Sequence, residues 1–411
     1  MTDLILLDRL RRAVEAGFDR QTAFLAELVR FPSTRGNEAP LQDWMAGQLA
    51  GRGYSVDRYT LADVAMEHLP GFSPVMDTDY TRAVQVVGVR RATGTAGDHP
   101  ADVPRGRSLI IQGHVDVVPT GPVELWATPP FEPAVRADWL HGRGAGDMKQ
   151  GVSAMVFALD AIRDAGLDLA ADITVQSVTE EECTGNGALS TLARGYRADA
   201  MLIPEPTDGT ITRAHVGVMW FRLRVRGVPV HVAQAQSGSN AIMSAYALIL
   251  ALGRYTVGLN EAAREDPWFG GATDPIKFNP GVIRGGDWAS STPAWCEVDC
   301  RIGLLPGASL AEARAGVQRC VAEAARADGF MANNPPEVAW NGFQADGYVL
   351  NPGSEAERVL AAAHQTVFGA PMQERASTAV NDTRFYGLYH HMPALCYGPR
   401  GEQHHGFDEA A

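Results

Sequence analysis

The sequence predicts an α/β protein in which a mainly parallel sheet, carrying the candidate site, is interrupted by an inserted βαββαβ, ferredoxin-like unit. Short apolar runs, each ending in a polar cluster, alternate with amphipathic helical periodicity in the first half of the chain. That alternation is the signature of parallel strands layered by helices. From residue 216 the pattern changes to strand, helix, two strands, helix, strand. The chain has 411 residues, 45% of them hydrophobic and 20% charged, enough for two domains with separate cores.

Taken in order, helical periodicity covers residues 4–15, 20–30 and 40–51, and a strand follows at 54–59. A loop-rich stretch over 61–107 contains the strand-like "VQVVGVRR". Three strands are expected in "SLIIQGHVDVVP", "ADITVQSVTEEE" and "ADAMLIPEPTD", with a helix over 151–164 between the first two. The insert reads as strands at 216–227, 276–284, 294–304 and 337–340, with helices at 239–259 and 310–327. A helix at 354–367 and the strand "PALCYGP" return to the first sheet. The expected domains are therefore 1–215 and 342–411 as two parts of one catalytic unit, with 216–341 inserted.

The charge balance, 35 basic against 48 acidic side chains and net −13, has no basic cluster, which excludes nucleic acid and anionic membrane as expected partners. No run of 18 uninterrupted apolar residues occurs, and Asp3 and Asp8 break the apolar start, unlike a secretory signal. Five cysteines form no CxxC pair, so neither a disulfide framework nor a thiolate metal site is expected. The protein reads as cytoplasmic.

Acids and histidines stand just past the apolar runs. "GHVDVVP" supplies His114 and Asp116, "GRGAGDMK" supplies Asp147, and "TEEEC" supplies Glu180, Glu181 and Glu182. "PEPTD" adds Glu205, and "GEQHHGFDE" adds His404 and His405. Singly each has a plainer reading. The Glu triplet suits a helix start, a His after a strand is usually an ordinary polar residue, and "HGRGAGDMKQG" could be a tight turn or a phosphate loop. Their coincidence at the ends of parallel strands would gather uncompensated acids in one crevice, which calls for a cation. Imidazole and carboxylate donors without thiolate suit Zn²⁺, with Co²⁺ or Mn²⁺ as substitutes.

These motifs, together with "VHVAQAQSGSNAI", "FNPGVIRGG" and "HGFDE", occur in the order of the M20 metallopeptidase family. The chain most resembles its acetylornithine deacetylase and succinyl-diaminopimelate desuccinylase branch. The resemblance implies two zinc ions per subunit. Asp147 would bridge them, His114 and Glu205 would complete one site, and Glu182 and His405 the other. His405 is preferred to His404 because the family's terminal histidine stands four residues before a Glu, as His405 does before Glu409. Asp116 would fix the tautomer of His114, Glu181 would be the general base, and the peptide after Asp147 would be cis.

The resemblance also implies a homodimer built through the inserted unit, with His231 reaching across the interface to the oxyanion. Arg301 matches the position that binds substrate carboxylate, and a surface strand arginine is the alternative. Arg384 is open between substrate contact and an anchor for the C-terminal segment. Relatives usually carry Asn-Val-Val-Pro or Asn-Val-Ile-Pro where this chain has Ser290 to Pro293, so their substrates do not transfer. Trp268 and Trp288, in polar or Gly-rich loops, are candidates to line a pocket for an aromatic or apolar acyl group. The implied activity is amide hydrolysis of an N-acyl amino acid or related amide. Carboxypeptidase or dipeptidase action is the alternative, and an inactive metal-binding relative the third reading.

Overall fold

The computed structural model describes residues 2–92 and 106–411, so 93–105 of the expected loop-rich stretch lie outside the described residues. A six-stranded sheet runs in the order Ser55–Thr60, Val84–Arg90, Ile173–Val178, Leu109–His114, Ala200–Ile203, Ala394–Cys396. The last four are mutually parallel and the first two pair antiparallel. Alternation along a strand sends neighbouring side chains to opposite faces. Ile110 accordingly joins the cluster under helices Asn186–Ala193 and Thr383–His390, while Ile111 joins the one under Thr2–Arg30, Ala39–Gly51 and Gln150–Asp164. With both faces covered by helices, the strand ends are the natural place for a site.

The two expected N-terminal helices are one, Thr2–Arg30. Gly17 lies inside it and is buried, and a side chain added there would come within 4.0 Å of Phe157 of Gln150–Asp164. Packing against that helix carries the turn through a position where local propensity is weak. Two helices had no sequence signal. Asn186–Ala193 is almost entirely buried and so lacks an amphipathic pattern, and Thr383–His390 is only eight residues long. A small sheet of Tyr348–Val349, Ile211–His215 and Glu374–Ser377 was also unforeseen.

The second large sheet is antiparallel, in the order Phe278–Gly285, Trp295–Leu304, Gly217–Arg226, Glu337–Ala345. Helices Ala241–Ala262 and Leu310–Arg326 pack on one face, against Phe221, Leu223, Val298 and Ile302. The opposite face bears Trp220, Arg222 and Arg224 with Asp299 and Arg301. Glu337–Ala345 runs well past the expected end at 340, because a bulge between Trp340 and Gln344, with Gly342 at φ +77°, breaks the alternation. Ala241–Ala262 belongs to the one described helix that is long and apolar enough to cross a membrane. Its inner face packs on the sheet through Ala241, Ala245, Leu248 and Leu252, and its outer face exposes Met243, Tyr246, Leu250 and Val257.

Candidate metal centre

Three parallel strands deliver donors to one edge. His114 ends Leu109–His114, Glu181 and Glu182 follow Ile173–Val178, and Glu205 lies two residues beyond Ala200–Ile203. Asp147 comes from the glycine-bearing turn before helix Gln150–Asp164. A side chain at Gly144, held at φ +78°, would come within 2.4 Å of Val117, and one at Gly146 within 2.8 Å of the Ala410 carbonyl. The loop amides do not await a phosphate: those of Gly144 and Asp147 donate to the Glu409 carboxylate at 3.0 and 2.8 Å. The peptide between Asp147 and Met148 is cis, as the resemblance implied.

His114 Nε2 stands 3.2 Å from Asp147 Oδ1 and 3.9 Å from Glu205 Oε1. His405 Nε2 stands 3.1 Å from Glu182 Oε1 and 3.8 Å from Asp147 Oδ2. Two donor triads result, His114–Asp147–Glu205 and Asp147–Glu182–His405, each with its ligand atoms within 4.8 Å of one another and both using Asp147. The five residues paired with zinc in the sequence reading are thus brought together. A shared carboxylate flanked by imidazole and carboxylate on each side fits two borderline divalent cations.

Asp116 acts differently from expectation. Its backbone carbonyl, not its carboxylate, lies 3.0 Å from His114 Nδ1 and leaves Nε2 free to face Asp147. The carboxylate, 3.6 Å from that nitrogen, instead accepts the amides of Glu181 at 3.4 Å and Glu182 at 3.1 Å. Asp116 therefore orients both the imidazole and the tandem glutamates.

The electrostatics describe a cluster that lacks positive charge. Burial, reinforced by Asp147, Glu182 and Asp382, pushes Glu205 up to about 8. Glu181 is raised well above the usual carboxylate range, chiefly by burial and then by Asp382, Glu205 and Glu182. Burial also works against ionised Asp147, but the hydrogen bond and charge of His114, with His405 and His404, hold it at about 2. The charge of Glu182 and its hydrogen bond lift His405 to about 9. Protonated imidazoles thus balance part of the acid charge.

His231 does not join this cluster within one chain. It is exposed, its Nδ1 accepts the Ala233 amide at 3.1 Å, and it bridges to Ser291. Arg301 does join. With Trp220 and Phe343 it lines a cavity of about 440 Å³ whose far wall is Asp147, Glu181, Glu182, Glu205 and His405. Arg301 has no hydrogen-bond or ion-pair partner among the described residues, and burial lowers its pKa. By contrast, Arg222 and Arg224 on the same face are paired with Asp299 and Glu297. Arg384 is buried, donates to the Thr184 carbonyl at 3.0 Å and stays out of the cavity. Trp268 and Trp288 are exposed and do not line it; Trp220 does, edge-on to Phe343 at 5.3 Å.

Several features of the centre escaped sequence reasoning. Glu180 leaves the acid cluster, because its carboxylate pairs with Arg35 at 2.7 Å and accepts from Tyr80 at 3.1 Å. Asp382, two residues before the noted Arg384, is buried, accepts from Gln112 at 2.9 Å and is pushed up to about 7 by burial. Glu409 served only as a marker for His405. Its partners come from a turn more than 260 positions earlier, which no local pattern reveals.

A family model described as peptidase family M20/M25/M40 matches residues 110–411. An N-formyl-4-amino-5-aminomethyl-2-methylpyrimidine deformylase of Bacillus subtilis (strain 168) is 28% identical, over 91% of this chain and 84% of that protein. A succinyl-diaminopimelate desuccinylase of Acidovorax ebreus (strain TPSY) is 31% identical over 53% of this chain and 54% of its own. Among solved structures, the di-peptidase Dug1p from Saccharomyces cerevisiae superimposes with a TM-score of 0.75 at 14% identity, covering 98% of this chain and 94% of that one.

Proposed function

Because this chain belongs to peptidase family M20/M25/M40, we propose that it is a metal-dependent amidohydrolase releasing the acyl group of an N-acyl amino acid or related amide. The observation that carries the reading is the pair of donor triads joined at Asp147, with the buried carboxyl of Glu181 4.0 Å from His114 Nε2. His114, Asp147 and Glu205 would hold one divalent cation, and Asp147, Glu182 and His405 a second, zinc being the expected ion. When bound, the ions supply the charge that polarises a carbonyl and acidifies a water.

The chain's own groups do the rest. Glu181, buried beside the donor triads and outside both, takes the proton of the attacking water and returns it to the departing amine. Asp116 keeps Glu181 and Glu182 in place through their amides. Arg301, half-buried and without a partner among the described residues, orients a substrate carboxylate, a task matched to a planar guanidinium. Trp220 and Phe343, edge-on to one another, give the apolar wall beside it, so an apolar substituent is accommodated.

The exposed position of His231 supports the reading that it serves a neighbouring subunit rather than its own. An apolar stripe of Met243, Tyr246, Leu250 and Val257, next to the exposed edge strand Phe278–Gly285, supports a homodimer formed through residues 216–341. The five free cysteines suit a reducing, cytoplasmic setting.

A screen of N-acetyl, N-succinyl and N-aroyl amino acids against dipeptides, with chelator and zinc restoration, tests the proposal. Chelator-sensitive hydrolysis of the acyl amino acids is expected. Preference for dipeptides would transfer the same residues to a peptidase, and metal-independent behaviour throughout would overturn the reading.

A further inference from the structure

The strands Ser55–Thr60 and Val84–Arg90 form an antiparallel pair whose ends meet, Thr60 opposite Val84. Such a pair is ordinarily closed by about two to five residues. Here the connection is the whole of 61–83. A connection of that length inside a packed domain ordinarily has a task of its own, and its hydrogen bonds show where the added chain goes.

Ser73 is fully buried and reaches in two directions. Toward the metal loop, its hydroxyl donates to the Thr184 carbonyl at 3.1 Å, two residues beyond Glu182. Its amide donates to Asn186 Oδ1 at 3.1 Å, and its carbonyl accepts from Asn186 Nδ2 at 2.8 Å. Toward the second sheet, the same hydroxyl accepts the amide of Gln344 at 3.0 Å. Adjacent residues continue the second contact. Pro74 accepts the Gly342 amide at 2.7 Å, Met76 donates to Asn341 Oδ1 at 2.8 Å, and Asp77 pairs with Arg222 at 3.2 Å.

Asn341, Gly342 and Gln344 belong to the bulge of Glu337–Ala345, which presents Phe343 to the cavity. The bulge is tightly seated. A side chain at Gly342 would come within 2.6 Å of Trp220 and 3.2 Å of the Cys183 carbonyl. Gln344 in turn donates to the Trp220 carbonyl at 2.9 Å. One hydroxyl therefore connects the loop carrying Glu181 and Glu182 with the strand segment carrying the apolar wall.

We propose that Ser73 is a positioning residue that sets the spacing between the metal-side glutamates and the Trp220–Phe343 wall. It touches neither substrate nor donor atoms and acts through Thr184 on one side and Gln344 on the other. Loosening the wall without disturbing the glutamates weakens ground-state and transition-state binding alike, which raises KM and spares kcat. A purely structural role would lower the fraction of folded, metal-loaded protein and leave KM and kcat per bound zinc unchanged.

The test is Ser73→Ala compared with wild type, both normalised to bound zinc, with steady-state kinetics on the best substrate of the acyl amino acid screen. KM should rise about five- to tenfold with kcat within about twofold. Hydrogen exchange should accelerate at the Gly342 and Gln344 amides. Asn341→Ala, which removes only the bond to Met76, should move KM the same way by a smaller factor and serves if Ser73→Ala fails to fold. Unchanged exchange at 341–345, or an unchanged KM, would overturn the proposal. The kinetic arm rests on the amidohydrolase reading and the exchange arm does not, so failure of that reading leaves the positioning role separately tested.

Discussion

The carboxylate of Glu409 receives the backbone amide of Asp147 at 2.8 Å, while its other oxygen takes the Gly144 amide at 3.0 Å and Arg143 Nη1 at 2.5 Å. The segment bearing His405 is thereby tied to the turn bearing the shared carboxylate. Two of the three members of the second donor triad, Asp147 and His405, are joined through this buried contact.

Glu409→Gln should therefore weaken metal binding without removing a ligand. Partners that orient ligands typically matter by about 10- to 100-fold in affinity. The neutral amide also leaves the buried Arg143 guanidinium uncompensated, a loss of roughly 3 kcal/mol or more. Competitive zinc titration and thermal unfolding should both move; an unchanged zinc affinity would reduce Glu409 to a packing residue.

Glu181→Gln should keep both cations and the fold. Its oxygens lie outside both donor triads, and the amide cannot accept and return a proton. A fall in kcat of about 10²- to 10⁴-fold is expected. Elemental analysis alongside turnover decides the matter, since metal loss in this variant would make Glu181 a ligand instead.

The metal-free protein should lose stability as pH rises, relative to the loaded one. His405 is lifted from 6.5 to about 9, so its contribution is complete below 6.5 and disappears as pH passes 9. Glu205, raised from 4.5 to about 8, favours the folded state while protonated; its contribution is complete below 4.5, falls as pH rises and is gone above about 8, so the two groups overlap between 6.5 and 8. Lys149, pushed down to about 7 by burial, works in the opposite direction in both forms. Subtracting melting curves of zinc-free from zinc-loaded protein removes it. The difference should widen between pH 6 and 9, because cations replace the protons these groups would otherwise hold. A constant difference would contradict the assignment of these two side chains to the centre.

How far the sequence alone reached follows the range of each interaction. Strand ends were legible because period and punctuation are local, and motif order then associated donors as distant as His114 and His405. The role of Asp116 was half legible: spacing placed it beside His114, but not which of its oxygens meets the ring. Trp220 was passed over for Trp268 and Trp288 because loop composition cannot tell which face of a strand looks into a cavity. The single helix Thr2–Arg30 was read as two because the packing that carries Gly17 comes from Phe157. Ser73 had no signal, since its partners lie on segments more than a hundred positions away.

Arg301→Met should raise KM for acyl amino acids by about 10- to 100-fold while leaving the corresponding carboxamides nearly unaffected. A charge-assisted contact to one carboxylate contributes about 1.5 to 3 kcal/mol. Because Arg301 has no protein partner among the described residues, truncation removes no internal ion pair and should not lower the melting temperature. Equal losses on acid and amide substrates would return Arg301 to the plain strand arginine.

His231 offers the sharpest test of assembly, because it is exposed and outside the cavity of its own chain. If it acts across a two-fold interface, His231→Ala and Glu181→Gln are complementary defects. Each homodimer is inactive, but a mixed dimer contains one site built from the intact Glu181 of one subunit and the intact His231 of the other. Statistical exchange makes about half the dimers mixed, each with one complete site of two, so activity should recover to about a quarter of wild type. A histidine serving its own subunit would leave every site in the mixture with one defect or the other, and no recovery at any ratio. Co-purification of an untagged variant with an affinity-tagged one after mixing establishes that exchange occurred, so an inactive mixture of exchanged dimers would exclude the intersubunit role.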